Sequence, residues 1–175
     1  MPIERSTQAS SPTRIAATAR RLLDASTLCA IATASPRGAV HINAAYFAWS
    51  PLFDLVWLSD PGARHSRNLK AHASAAITVY DSTQVWGEPD QGIQLHGSAH
   101  EVASSRIKGA ERLYARRFPT YADTDLGAYR FYRFRPRRMK LFDERALGSG
   151  VFVTAAVRGG GRLAWTRTEI YREQA

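Results

Sequence analysis

Apolar and polar positions change period several times along the chain. Ser11-Pro12 places a capping residue before a proline suited to the first helical position, and Ile15, Ala19, Leu22 and Leu23 then recur at helical spacing. The spacing predicts a helix to about Ala25. Its narrow apolar stripe, with Arg14, Arg20 and Arg21 on the other face, places it on the outside of the fold. Leu28 to Ala34 reads as a strand, Ser35-Pro36-Arg37-Gly38 as a turn and Ala39 to Trp49 as a second strand. A further turn over Ser50 to Asp54 leads into the strand Leu55 to Ser59, completing an antiparallel meander.

Asp60-Pro61-Gly62 then turns the chain into a helix from about Ala63 to His72, followed by the β-branched run Ala76 to Tyr80. Ser82 to Asp90 is a loop with Trp86 either exposed or folded over something. Ile93 to Val102 alternates as a strand, and Ala103 to Arg117 is a helix on Ile107, Leu113 and Tyr114, ended by Phe118-Pro119. Ala128 to Phe134 and Arg137 to Phe142 read as two strand segments interrupted at Pro136, and Val151 to Val157 lies between two glycine breaks. The pattern divides the chain into a mobile leader (1–11), one folded domain (12–157) and a loosely attached tail (158–175). The predicted fold class is mainly β: an antiparallel barrel with peripheral helices. A sandwich satisfies the same pattern, whereas a doubly wound parallel sheet lacks its required helices between Leu28 and Ser59.

A length of 175 residues suits one domain, and 45% hydrophobic with 22% charged residues describes a chain that folds. It has no run of about eighteen apolar residues and no basic-then-apolar N-terminal order, so a cytoplasmic location without membrane partners is expected. The single cysteine, Cys29, excludes an internal disulfide framework and a cysteine zinc cluster; its apolar setting predicts core packing. A formal charge of +9 adds an attraction for anions.

That attraction gives the turn after Ser59 its interest. Free N–H groups at a helix start favour a phosphate, and Arg64 in the first turn adds a bidentate donor. Elsewhere the candidates are thinner. His96 and His100 are four residues apart on a strand, about 13 Å and too far to share an ion, so no metal site is expected. Tyr129 to Lys140 interleaves basic and aromatic residues, as a nucleic-acid surface would. A barrel strand with a solvated arginine face is the reading preferred there. No catalytic triad or carboxylate pair emerges, so no catalytic residue is assigned. Trp49, Trp57 and Trp86 could wall a ring-shaped ligand; core packing is preferred for Trp57, and Trp86 is the candidate lid.

Several stretches together resemble a known family. These are Ala30-Ile31-Ala32-Thr33-Ala34-Ser35-Pro36-Arg37-Gly38, then His41-Ile42-Asn43-Ala44-Ala45-Tyr46-Phe47, Val56-Trp57-Leu58-Ser59 and Arg64-His65-Ser66-Arg67-Asn68-Leu69. Leu95-His96-Gly97-Ser98-Ala99 and Tyr132 to Asp143 continue the likeness, which covers about Leu28 to Arg145. They are similar to the split barrels related to pyridoxamine 5′-phosphate oxidase. The resemblance implies a homodimer of six-stranded antiparallel split barrels with flavin mononucleotide (FMN) at the subunit interface, acting as an oxidoreductase on a small-molecule substrate. It implies cofactor contacts at His41, Asn43, Ala44, Tyr46, Ser59, Arg64, His65, Arg67 and Gln91, with the strand through Tyr46 along the flavin ring and Ser59, Arg64 and His65 at the phosphate. A deazaflavin reductase of the same fold is the alternative, and a haem-carrying or nucleic-acid-binding module a further one. Two departures matter: His65 stands where many relatives carry lysine, and the chain lacks the Arg-Leu-x-Pro ending of pyridoxamine phosphate oxidases. Together with the Arg116-Arg117-Phe118-Pro119 run, they make it more similar to small bacterial members than to that enzyme.

Overall fold

The computed structural model describes residues 3–123 and 127–171. Among these residues, nine strands and four α-helices are formed. The elements are β1 (Ile3–Ser6), α1 (Pro12–Asp24), β2 (Leu28–Ala34), β3 (Val40–Trp49), β4 (Leu55–Ser59), α2 (Arg64–Ala71), β5 (Ser74–Val79) and β6 (Gln91–Glu101). They continue as α3 (Ile107–Arg117), β7 (Arg130–Asp143), α4 (Glu144–Leu147), β8 (Val151–Arg158) and β9 (Arg162–Tyr171). Hydrogen bonding runs β7-β4-β3-β2-β5-β6, and β6 pairs again with β7, which closes a six-stranded ring. The fold class is mainly β, a six-stranded antiparallel split barrel with peripheral helices.

Two compact units divide the chain. The first comprises residues up to Ser26, Thr78–Leu95 and the chain from Arg137. In it α1 forms as its sequence predicts: Ser11 Oγ accepts from the Arg14 N–H at 3.2 Å, Pro12 opens the helix, and Ile15, Ala19, Leu22 and Leu23 are buried. Arg21 bonds the carboxylate of Asp143, which is 1% exposed and also accepts the Ala146 N–H at 3.0 Å. The leader and tail differ from the expectation of mobile segments. Ile3 to Ser6 pair antiparallel with Tyr171 to Thr168, and β9 pairs along its length with β8. The polar sequence of β9 concealed this strand because it buries polar groups with partners. Glu169 meets Lys140 at 2.8 Å, and Thr168 donates to the Gln8 carbonyl at 3.0 Å.

The second unit comprises Thr27–Ile77 and His96–Pro136. The predicted meander is present: β2 pairs with β3 from Leu28↔Tyr46 to Ala34↔Val40, and β3 with β4 from Phe47↔Trp57 to Trp49↔Leu55. β4 then pairs with the first half of β7. The predicted helix from Ala103 begins instead as a 3-10 turn, Ser104–Arg106, before α3. Ala110 and Tyr114 of α3 pack with Ala48, Val56 and Phe131.

Pro136 does not interrupt β7, contrary to expectation. Pairing with β4 ends at Phe134 and pairing with β8 starts at Arg138, so the missing N–H of Pro136 falls where neither ladder needs a donor. Trp57 is fully buried and stacks on Tyr132 at 5.8 Å, yet its indole N–H has no hydrogen-bond partner. Trp57→Phe removes that desolvated donor while keeping most of the ring, so a stability change within about 1 kcal/mol is expected. Trp57→Ala should cost about 3–5 kcal/mol by leaving a cavity. Urea unfolding midpoints of the two variants check the contrast.

Candidate functional site

The site is built outward from the end of β4. After Ser59 the chain reverses because Asp60 Oδ1 accepts the Gly62 N–H at 2.6 Å and the Asp60 carbonyl accepts the Ala63 N–H at 3.0 Å. Arg67 closes the turn by donating to the Gly62 carbonyl. The following helix, α2, has Ala63 at its N-cap position and no side-chain cap. Its first-turn N–H groups thus have no side-chain cap. Asn68 anchors α2 to β2 by donating to Thr33 Oγ1 at 3.0 Å.

A hydroxyl chain crosses this turn. Ser66 Oγ donates to Ser59 Oγ at 3.3 Å, and Ser59 Oγ lies 2.6 Å from His65 Nε2. Ser59 Oγ also donates toward the Asp60 carbonyl at 3.4 Å, and the direction of the Ser59–His65 bond follows the imidazole tautomer. Burial lowers the His65 pKa from its ordinary 6.5, and the charge of His41 lowers it further; the two rings are near-parallel with centroids 6.4 Å apart.

These groups form one wall of a cavity of about 830 Å³ within the second unit. Asn43, Ala44, Ala45 and Tyr46 of β3 line it beside Ser59, Asp60, Ala63 and His65. These β3 residues precede the segment that pairs with β4. Asn43 Oδ1 is buried there without a hydrogen-bond partner, an acceptor left for a ligand donor. Tyr114, Phe118, Tyr121 and Tyr129 form an aromatic side of the cavity. Phe118 packs at 4.8 Å from Tyr114 and edge-on to Tyr46 at 5.8 Å. Burial pushes the Tyr114 hydroxyl up to about 12, so it stays a proton donor at any physiological pH.

Five of the expected cofactor contacts therefore share this cavity: Asn43, Ala44, Tyr46, Ser59 and His65. Arg64 and Arg67 are exposed on α2 and outside the lining. His41 reaches the site only through its ring against His65. Gln91 is elsewhere, in the first unit, where its N–H donates to Gln84 and its side chain accepts from Arg21. Trp86, the expected lid, is likewise in the first unit and fully exposed, while Trp57 is core. The aromatic side was not foreseen. Tyr114 and Phe118 stand four apart at a helix end, a spacing that on its own reads as core packing. No cluster of three or more metal-ligating side chains occurs among the described residues. No helix among them is long and apolar enough to cross a membrane. Cys29 is buried and its thiol pushed up to about 12 by that burial, an inert core group.

Alternate residues of β3 present an apolar stripe that reaches the cavity at Tyr46: Val40, Ile42 and Tyr46 are 70%, 64% and 57% exposed. A contiguous apolar strand face of this kind marks an interaction surface.

A barrel of six strands with a large cavity between a helix start and an aromatic cluster defines the split-barrel class of the pyridoxamine 5′-phosphate oxidases. The chain belongs to the pyridoxamine 5′-phosphate oxidase family, whose model matches residues 15–143. No curated protein sequence matches it. Among solved structures, it is similar to protein Atu2129, of unknown function, from Agrobacterium tumefaciens strain C58. The TM-score is 0.64 and the identity 21%, over 75% of this chain and 57% of that one. A heme binding protein from Mycobacterium smegmatis aligns with TM-score 0.63 and 17% identity, over 90% of this chain and 58% of the other. An F420 reductase aligns with TM-score 0.52 and 20% identity, over 69% of this chain and 94% of the other. The chain thus spans less than two-thirds of the first two relatives. At these identities the likeness concerns the fold.

Proposed function

We propose that this chain is a flavoprotein that holds FMN in the β3–α2 cavity and transfers hydride or electrons between a reduced nicotinamide or small organic substrate and the flavin. The observation that carries the reading is the pairing of an uncapped helix start with an apolar, aromatic-sided cavity, which suits a molecule with a phosphate at one end and a flat ring at the other. Ser59, His65 and the first N–H groups of α2 would hold the phosphate, with Arg64 flanking them. Asn43 Oδ1 would accept a ring N–H, and Ala44 to Tyr46 would support the ring. When bound, the flavin supplies the two-electron chemistry, and the chain's residues supply position and exclude water. The exposed β3 stripe supports a homodimer joined across that face. The location proposed is cytoplasmic, with no membrane partner and no nucleic acid.

The family's other cofactors test the reading directly. The protein as purified, or after adding FMN, should show flavin absorbance bands and co-elute with one flavin per chain on gel filtration. A Soret band in place of the flavin bands overturns the proposal in favour of haem. Protein that stays colourless with FMN but quenches an added deazaflavin overturns it in favour of the deazaflavin alternative.

A further inference from the structure

A second, smaller cavity lies in the same unit, and its lining has a different chemistry. Its volume is about 240 Å³, below the range of about 300–1,000 Å³ usual for whole small-molecule ligands. It admits a headgroup. Arg133 and Arg135 come from β7, two residues apart and therefore on one face of the strand. Arg106 comes from the 3-10 turn before α3, and His100 and Glu101 come from the end of β6. Three guanidinium groups thus face one lining carboxylate. Asp54 offsets part of the surplus from both β7 arginines: Arg133 and then Arg135 act on its carboxylate, and the Arg135 Nε is 3.9 Å from Asp54 Oδ2. The Arg106 side chain has no ion pair within 4.0 Å among the described residues, and Arg133 acts on Asp54 from beyond that distance.

Charged side chains on a strand face are ordinarily solvated singly. Here two separate elements, β7 and the 3-10 turn, bring three arginines to one concavity, and Glu101 and Asp54 leave one positive charge over. Guanidinium forks match phosphate oxygens two at a time, and the positive charge left over attracts a phosphate monoester. We propose that the Arg106–Arg133–Arg135 cavity is a binding site for a phosphate monoester dianion, separate from the β3–α2 cavity. Arg106 and Arg133 supply the primary donors, Asp54 draws on both Arg133 and Arg135, and Glu101 restricts the site to one dianion by repelling further negative charge. Because the two cavities have no lining residue in common, the assignment does not depend on the flavin reading.

The test uses the full-length protein, with inorganic phosphate and adenosine monophosphate as probes and the His100 imidazole signals in proton–nitrogen NMR as the reporter. Saturable shifts at His100 are expected with at least one of the two probes. The two distinguish free phosphate, which binds when the nucleotide is too large to enter, from a phosphorylated metabolite. Arg106→Gln with Arg133→Gln should weaken that binding at least tenfold while leaving the melting temperature and any bound flavin unchanged. Should the double variant fail to fold, Arg133→Lys is the second measurement, with weakened but saturable binding expected because one fork is lost and one charge kept. Absence of His100 shifts with either probe overturns the site. So does undiminished binding by the variants, or a single-stranded oligonucleotide that binds there far more tightly than either probe with a steep salt dependence.

Discussion

Gly97→Ala is expected to abolish the native fold or lower its melting temperature by at least about 6 °C, corresponding to more than about 3 kcal/mol. A Cβ at this position would stand 2.0 Å from the Arg135 carbonyl oxygen and 2.8 Å from Pro136 Cα. Both obstacles are backbone, so no rotamer change relieves them. β6 and β7 would have to part where Gly97 passes Pro136. Two other glycines provide the scale. A Cβ at Gly92 meets the Phe142 ring at 2.4 Å, an obstacle that can rotate, and Gly92→Ala should be milder. Gly109, inside α3, has nothing within 4 Å, so Gly109→Ala should stabilise by about 0.5–1 kcal/mol through helix propensity. Thermal unfolding of the three variants checks the order; a Gly97→Ala melting point equal to wild type would show that the strands do not meet as described.

The second large effect concerns His65 and pH. Burial, with the charge of His41 adding to it, holds His65 below its ordinary 6.5 in the folded protein. The folded state therefore resists the proton. Its contribution to stability is complete above about pH 6.5 and is lost as the pH falls through the lowered value. A phosphate bound beside the ring reverses the preference, because the dianion favours the imidazolium. Binding then takes up a proton, and FMN affinity should strengthen, by up to about tenfold per pH unit, as the pH falls from the value at which His65 titrates in the complex toward its lowered value in the free protein. Asp60, also on the cavity wall, opposes the anion by its negative charge. Fluorescence titrations of FMN across this range give the slope. His65→Lys should bind more tightly with no such slope, and His65→Gln more weakly with none. A flat wild-type profile would remove His65 from the phosphate contact.

Features set by near neighbours in sequence were readable without the fold. The Ser11-Pro12 cap, the meander from Leu28 to Ser59 and the turn from Ser59 to His65 each depend on contacts a few residues apart. What required the fold was distance along the chain or buried polarity. β1 finds its partner at the opposite terminus, and β9 hides Thr168 and Glu169 beneath a hydrophilic sequence. The candidate site divides in the same way. Ser59 and His65 were found from their turn, whereas Tyr114, Phe118, Tyr121 and Tyr129 reach the cavity through packing that spacing does not reveal. Gln91 and Trp86 show the converse: residues suited to a ligand, placed by the chain path in the other unit.

The starts of α1 and α2 are treated differently. Ser11 caps α1, while Ala63 leaves α2 without a side-chain acceptor, although serine or aspartate there would contribute about 1 kcal/mol. That stabilisation and a bound anion draw on the same N–H groups. Thermostability engineering that optimises every helix cap would thus fill this one with the protein's own oxygen, trading ligand affinity for a higher melting temperature. The unfilled cap is a fold-level concession, and the helix becomes fully hydrogen-bonded only in company.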